Sequence, residues 1–357
     1  MANIDSLEEI EKLDQDGYLK RIQEFPDQAE RAWSDWKKIP LPASYIQAKN
    51  VLIAAMGGSA QGASIVDGLA TTARIPVTIW RDYGVPAWLN KDTLMIACSY
   101  SGNTEETVDC FEKAAAKTDR LITISSGGQI ESLSRKYKSV HYSINYDSPP
   151  RQSLGFQLTA ILAIFDKLDL IEVDDSTFEE AILLVRGLQK KIDVNVRTAN
   201  NPSKLLALKI INKIPIVYGA GIMSQVARRA KGHFNENSKS LSYFEILPEV
   251  HHNAMVGLEQ PKELTSKIIT IILQSKFNHP RNILRENITQ QILQKKRISS
   301  ESIMIQPAPT ALAEILQMIH LLDYASYYLG ILYNENPTSI AMVDLLKEKL
   351  AEHPMEE

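Results

Sequence analysis

The sequence predicts an α/β protein whose parallel sheets are covered on both faces by helices. Three observations predict it. Short apolar runs end in glycine-rich or hydroxyl-rich turns, a helical pattern follows each turn, and the second half of the chain repeats the arrangement in diverged form.

Residues 1–45 read as helical and peripheral. Leu7, Ile10 and Leu13, then Leu19, Ile22 and Phe25, recur at helical spacing. Pro26-Asp27 opens a further helix through Trp33 and Trp36, and Pro40 and Pro42 break it. Residues 51–56 are the first buried strand. Gly57-Gly58-Ser59-Ala60 follows, then a helix through Ile65, Val66 and Leu69. The glycines either bring backbone N–H groups close to a ligand or only permit tight strand–helix packing. Their spacing is not that of a dinucleotide site. Residues 75–80 form a second strand before Arg81-Asp82-Tyr83, and 94–97 a third.

That third strand delivers Cys98-Ser99-Tyr100-Ser101-Gly102-Asn103-Thr104-Glu105-Glu106-Thr107, and a helix follows. Strands at 120–124 and 139–142 complete the first unit, the latter leading to Pro149-Pro150-Arg151. A long apolar helix spans about 152–168, and 170–200 reads as a charged helical connector with Asp174-Asp175-Ser176 capping. The second unit opens with strand and glycine turn at 214–221. Its helix carries Arg228, Lys231, Asn235 and Glu236. A strand at 268–273, an amphipathic helix at 282–295, a short strand at 303–305 and helices at 309–332 and 338–350 follow.

Composition narrows the function. Hydrophobic residues make up 44% and charged residues 23%, with a net charge of -4 and dispersed basic residues. That argues against a nucleic-acid partner or an anionic membrane surface. The two cysteines, Cys98 and Cys110, give no disulfide framework. Histidine and cysteine are not clustered at metal-ligand spacings, so no metal is expected. The first residues lack a signal-peptide pattern, and no apolar run is long enough to span a membrane. A cytoplasmic location is expected.

Several residues carry chemical potential. Ser99, Ser101 and Thr104 place hydroxyls where the first N–H groups of a helix point, Gly102 allows a close backbone turn, and Asn103 or Thr104 can cap. A phosphate is favoured there by the N–H donors and the helix dipole; a capped helix start is the plain alternative. No lysine follows the glycine, so the loop is not a Walker-type P-loop. Two such loops at strand ends, 57–59 and 99–104, can converge on one anion. Arg151 at a helix start opposes the helix dipole, which an anionic ligand or intermediate would justify. Glu236 sits among polar neighbours, and His252 lies in a loop after Pro248. Lys347 lies on the last helix, whose apolar positions are Ile340, Val343, Leu346 and Leu350. A solvated glutamate, a structural histidine and a solvent-facing lysine are the plain readings of these three.

Together these motifs resemble the sugar isomerase (SIS) family, specifically its bifunctional phosphoglucose/phosphomannose isomerases. The resemblance runs from about residue 45 onward. It rests on Met56-Gly57-Gly58-Ser59-Ala60, the 99–107 loop, Pro150-Arg151, Asn235-Glu236-Asn237, Pro248-Glu249 followed by His252-Asn253, and Pro337 leading to Leu346-Lys347. Ala55 departs from the pattern, standing where a glycine is common. The resemblance implies two SIS subdomains, placed at 46–168 and 206–357, with the helical segment at 1–45 before them and the helical connector at 169–205 between them. Each subdomain would be a flavodoxin-like α/β/α sandwich. It implies that Ser99, Ser101 and Thr104 bind the sugar phosphate with Gly57, Gly58 and Ser59 lining the same site. Arg151 would stabilise an enediolate, Glu236 would move the proton between C1 and C2, and Lys347 would assist at the ring oxygen. His252, favoured over His251 by the Asn253 that follows it, would open the ring from the other subunit of a homodimer. No cofactor is implied. The rival readings are another SIS sugar-phosphate enzyme and a non-catalytic sugar-phosphate sensor. The acidic start, with Glu8, Glu9, Glu11, Asp14 and Asp16, suits no DNA-binding module.

Overall fold

The structure is a computed structural model that describes residues 2–71 and 73–353. Its frame is two parallel sheets. The first holds β1 (Asn50–Ala54), β2 (Val77–Trp80), β3 (Thr93–Cys98), β4 (Leu121–Ser125) and β5 (Val140–Ser143) in the order β2-β1-β3-β4-β5. That is the flavodoxin-like order, with a topological switch between β1 and β3. The second holds β6 (Ile214–Ala220), β7 (Tyr243–Leu247), β8 (Ile268–Gln274) and β9 (Ser299–Met304) in the order β7-β6-β8-β9. All neighbouring strands run parallel. The second order repeats the first without its last strand, so the repeat read from sequence is real at the level of topology.

Parallel strands covered on both faces must be apolar throughout. Every residue of β3 is buried, and so are four consecutive residues of β1. β7 has no such run: only Leu247 is buried and Glu245 interrupts it, so the sequence pattern does not announce it. β9 is longer than the three residues expected, because its serines and Glu301 hide a half-buried edge strand.

The helix Ala311–Leu332 is the axis of the molecule. Leu312 through Leu332 are buried, and the helices Asp175–Ile192, Pro202–Ile210 and Ser224–Ser238 pack against it. The segment expected to be a connector therefore belongs to the core: Phe178, Ala181, Ile182 and Val185 turn inward on Asp175–Ile192. The sequence also places residues 1–45 at the periphery, and the structure corrects this. The helix Phe25–Lys38 packs along Leu154–Lys167, Trp36 and Tyr18 are fully enclosed, and Trp33 stacks on Phe178 at 4.5 Å. Burying side chains of this size contributes roughly 2–3 kcal/mol each. At the other end, the helix Ala341–Ala351 leaves Met342, Val343, Leu345, Leu346 and Leu350 exposed. Among the described residues no helix is long and apolar enough to cross a membrane.

Candidate active site

The two loops at the carboxyl ends of β1 and β3 meet. After β1 the chain turns at Gly57, with φ 48°, straight into the helix Gly57–Leu69, which has no side-chain N-cap. Ser59 Oγ accepts a hydrogen bond from the Tyr100 N–H at 3.1 Å and so ties the first loop to the second. In the second loop Ser99 Oγ and Thr104 Oγ1 lie 2.9 Å apart, and the Asn103 N–H donates to Ser101 Oγ at 3.3 Å. Gly102, at φ 70°, touches the Gly127-Gly128 backbone so closely that no Cβ would fit. Thr104 occupies the N-cap position of Glu105–Ala115 yet makes no capping bond. Asn103 does not cap either; its Oδ1 accepts from the Gln129 N–H at 3.0 Å. The expected cap is thus absent for a physical reason: the Thr104 hydroxyl is turned to Ser99. Two uncapped helix starts beside a cluster of hydroxyls suit an anion.

Arg151 stands against the first of these helix starts. A Cβ on Gly58 would lie 3.0 Å from the Arg151 backbone nitrogen, so only glycine lets the two segments approach this closely. Arg151 sits in the short turn Pro150–Gln152, ahead of the helix Leu154–Lys167 rather than within it. Its side chain is buried, with its donors spread over three partners. Nε donates to Asn237 Oδ1 at 3.2 Å, and Nη2 donates to the carbonyls of Pro337 and Thr338, each at 2.8 Å. Nη1 faces Glu236 Oε2 at 3.5 Å. The Glu236 side chain is 35% exposed against 3% for Arg151, so the pair has one dry side and one side open to a ligand.

Glu236 and Asn237 end the helix Ser224–Ser238, and Lys239 caps it in the left-handed region at φ 53°. Lys239 Nζ donates to the Glu236 carbonyl at 2.9 Å and to the Asn336 carbonyl, pinning residues 336–338 over the site. Burial, and then the charge of Arg151, lower the Lys239 ammonium to about 8. Beneath lies a second buried group. Arg229 Nη2 meets Asp323 Oδ2 at 2.7 Å and His233 Nδ1 meets Asp323 Oδ1 at 3.0 Å. Burial would raise the Asp323 carboxyl, but Arg229 and His233 outweigh it and hold it well below the usual carboxylate range.

The structure therefore brings Gly57, Gly58, Ser59, Ser99, Ser101 and Thr104 together at one sheet end, and Arg151 with Glu236 beside them. It does not bring His252 or Lys347 to that group within one chain. His252 is exposed in the short turn Glu249–His252, and Lys347 is exposed with Asp344 at 3.6 Å as its partner. His251 is occupied: Arg285 Nη1 donates to its Nδ1 at 3.0 Å, and its Nε2 lies 2.7 Å from Thr289 Oγ1. Burial first, then Arg285 and His252, lower its pKa, so this ring stays neutral. Tyr18, Asn237 and Lys239 also build the site and were not singled out from sequence. Only Asn237 carried a signal, its place directly after Glu236.

Known proteins share this fold and much of this sequence. Residues 199–350 match the family described as the bacterial phospho-glucose isomerase C-terminal SIS domain. A hypothetical protein of Thermus thermophilus superimposes with a TM-score of 0.73 at 14% identity, covering 97% of this chain and 93% of its own. The C-terminal domain of glucosamine-fructose-6-phosphate aminotransferase from Francisella tularensis superimposes with a TM-score of 0.69 at 15% identity, covering 92% of this chain and 100% of its own. Fold and site thus define a protein of the SIS class. The bifunctional phosphoglucose/phosphomannose isomerase of Caldicellulosiruptor bescii is 35% identical over 94% of this chain and 99% of its own. That of Aquifex aeolicus is 31% identical over 94% and 98%. The chain belongs to the bifunctional phosphoglucose/phosphomannose isomerase family.

Proposed function

We propose that this protein interconverts glucose 6-phosphate, and mannose 6-phosphate, with fructose 6-phosphate by ring opening and proton transfer through an enediolate. The observation that carries this reading is the buried Arg151 held with Nη1 against the half-open Glu236 carboxylate at 3.5 Å. Aldose–ketose isomerisation needs one base and one fixed cation within reach of two adjacent carbons.

The phosphate is the remote handle. Held by Ser99, Ser101 and Thr104 with the backbone of Gly57, Gly58 and Ser59, it orients the carbons that react. The cyclic sugar opens as a proton leaves O1 and one reaches the ring oxygen; His252 and Lys347 serve this step. Glu236 then takes the proton from C2 of the aldose. The electron pair moves into the C1–C2 bond, charge develops on O1, and Arg151 meets it. A proton passes from O2 to O1, Glu236 returns its proton to C1, and the C2 carbonyl of the ketose forms. Rotation of the open chain about C2–C3 presents either C2 epimer to the same base. No hydride moves in this sequence. The reaction fits glycolysis and gluconeogenesis, and we place it in the cytoplasm.

The family resemblance implies a homodimer in which His252 crosses the interface. Two features support it. The helix Pro280–Lys295 turns Glu286, Thr289 and Leu293 inward and leaves Leu284, Ile288 and Ile292 exposed as one stripe. The same helix carries Arg285 and Thr289, which hold His251, so this apolar stripe lies beside the turn that bears His252. The exposed apolar residues of Ala341–Ala351 give the Lys347 helix a surface of the same kind.

The test uses purified protein with fructose 6-phosphate and excess EDTA, following both aldose phosphates by NMR. Both should form. Glu236→Gln should lower kcat by about 10²–10⁴-fold while the substrate still binds; wild-type turnover in that variant would remove Glu236 from its role. Mixing Glu236→Gln and His252→Ala proteins, each inactive alone, should restore activity in mixed dimers. Failure of every mixture to recover activity would place His252 outside the partner's site.

A further inference from the structure

The wall of the catalytic centre includes a residue from the N-terminal helices. Tyr18 opens the helix Tyr18–Gln23 and is 1% exposed. Its ring lies 5.4 Å from the Arg151 guanidinium carbon, in the arrangement by which a cation is attracted to an aromatic face. Its hydroxyl donates to Asn237 Oδ1 at 2.6 Å, the same oxygen that accepts from Arg151 Nε at 3.2 Å. The Asn237 amide is held in this sense from its far side. Its Nδ2 donates to Ser326 Oγ at 2.9 Å, and the Ser326 hydroxyl donates to the Asp323 carbonyl at 2.8 Å. A chain of donors therefore runs from Arg151 through Asn237 and Ser326 to the Asp323 carbonyl, and Tyr18 touches it twice, at the ring and at the hydroxyl.

The consequence is geometric. Tyr18 fixes the face of the guanidinium, Asn237 its Nε edge, and the carbonyls of Pro337 and Thr338 its Nη2 end. With these three held, Nη1 has one direction left, toward Glu236. A long side chain held on three sides needs little reorganisation when charge develops beside it.

We propose that Tyr18 is a positioning residue for the isomerisation, setting through Arg151 and Asn237 the plane in which Nη1 meets the enediolate oxygen. The inference rests on the reading that Arg151 acts on that oxygen. Burial raises the Tyr18 phenol well above its ordinary range despite the pull of Arg151, so the hydroxyl remains a donor throughout the working pH range.

The experiment measures kcat and KM for fructose 6-phosphate in Tyr18→Phe, which keeps the ring, and Tyr18→Leu, which removes it. Each is made in the wild-type chain and in the Arg151→Gln chain, with thermal melting followed for all. In the wild-type chain kcat should fall by about threefold for Tyr18→Phe and about tenfold or more for Tyr18→Leu, with KM within about twofold. In the Arg151→Gln chain neither change should lower kcat further, since the group it positions is gone. Equal fold losses in both chains would make Tyr18 a structural residue and overturn the inference, as would wild-type kcat in both Tyr18 variants. Should Arg151→Gln itself keep wild-type kcat, the enediolate reading of Arg151 fails, a result distinct from failure of Tyr18 alone.

Discussion

The two sheets end in the same architecture and in opposite chemistry. After β1 the chain turns at Gly57 with φ 48°, and after β6 at Gly221 with φ 49°. Above Gly57 nothing lies within 4 Å of where a Cβ would stand; above Gly221 the Asn278 side chain fills that place. β3 delivers the hydroxyl loop, whereas β8 delivers Ser275-Lys276-Phe277-Asn278-His279. There Ser275 Oγ is bonded to Glu314, and Asn278 Nδ2 donates to Glu286 Oε1 at 2.9 Å. Both glutamates are buried, and burial, then the charge of Glu314, raises Glu286 to about 7. The first frame leaves backbone donors and hydroxyls open in a form that suits an anion, while its repeat is filled by two buried carboxyl groups. Doubling the fold did not double the site.

Three measurements can break or sharpen this contrast. The largest effect should come from the open loop: Ser99→Ala with Thr104→Val should raise KM for the sugar phosphate by about 100-fold, roughly 3 kcal/mol of lost binding. Ser275→Ala at the matching place should leave KM unchanged. A KM shift from Ser275 would mean that the second loop also serves the ligand.

A smaller effect belongs to the plug. The folded pKa of Glu286 is raised from 4.5 to about 7. The protonated acid's contribution is therefore full below about pH 4.5 and is lost as pH rises through 7. Glu286→Gln should stabilise the protein at pH 8 by about 2–3 kcal/mol, and the gain should fade toward pH 4.5 in denaturant titrations. A pH-independent difference would show that Glu286 is ionised throughout.

The smallest effect compares the glycines. Gly57→Ala introduces only left-handed strain, about 1 kcal/mol, and should weaken sugar-phosphate binding. Gly221→Ala adds displacement of Asn278, so it should cost about 2 kcal/mol of stability with KM untouched. Melting curves and KM values for both variants read the two effects separately.

Much of this was legible because local chemistry announces it. Apolar runs closed by glycine or hydroxyl turns mark β1, β3 and β6, and the parallel sheets follow from their alternation with helices. The hydroxyl loop was readable because its hydroxyls all fall between Ser99 and Thr104. The rest depended on contacts far apart in sequence. Tyr18 is one aromatic on a short helix until Asn237, 219 residues later, comes to its hydroxyl. Glu286 lies on a helix whose apolar residues Leu284, Ile288 and Ile292 would be placed inside by pattern alone; the structure turns them out and the glutamate in. An apolar stripe turned to solvent inverts the usual pattern, and a single sequence does not show which face is turned out.

Arg151 also sets a condition on biosynthesis. Its Nη2 partners, the carbonyls of Pro337 and Thr338, lie 186 and 187 residues further along the chain. As the polypeptide emerges from the ribosome, the hydroxyl loop and its sheet can form early from neighbouring segments. The guanidinium has no complete set of partners until residue 338 is outside the exit tunnel. Formation of the first sheet and completion of the Arg151 cluster are therefore separated in time: the hydroxyl loop can be in place well before the guanidinium is held.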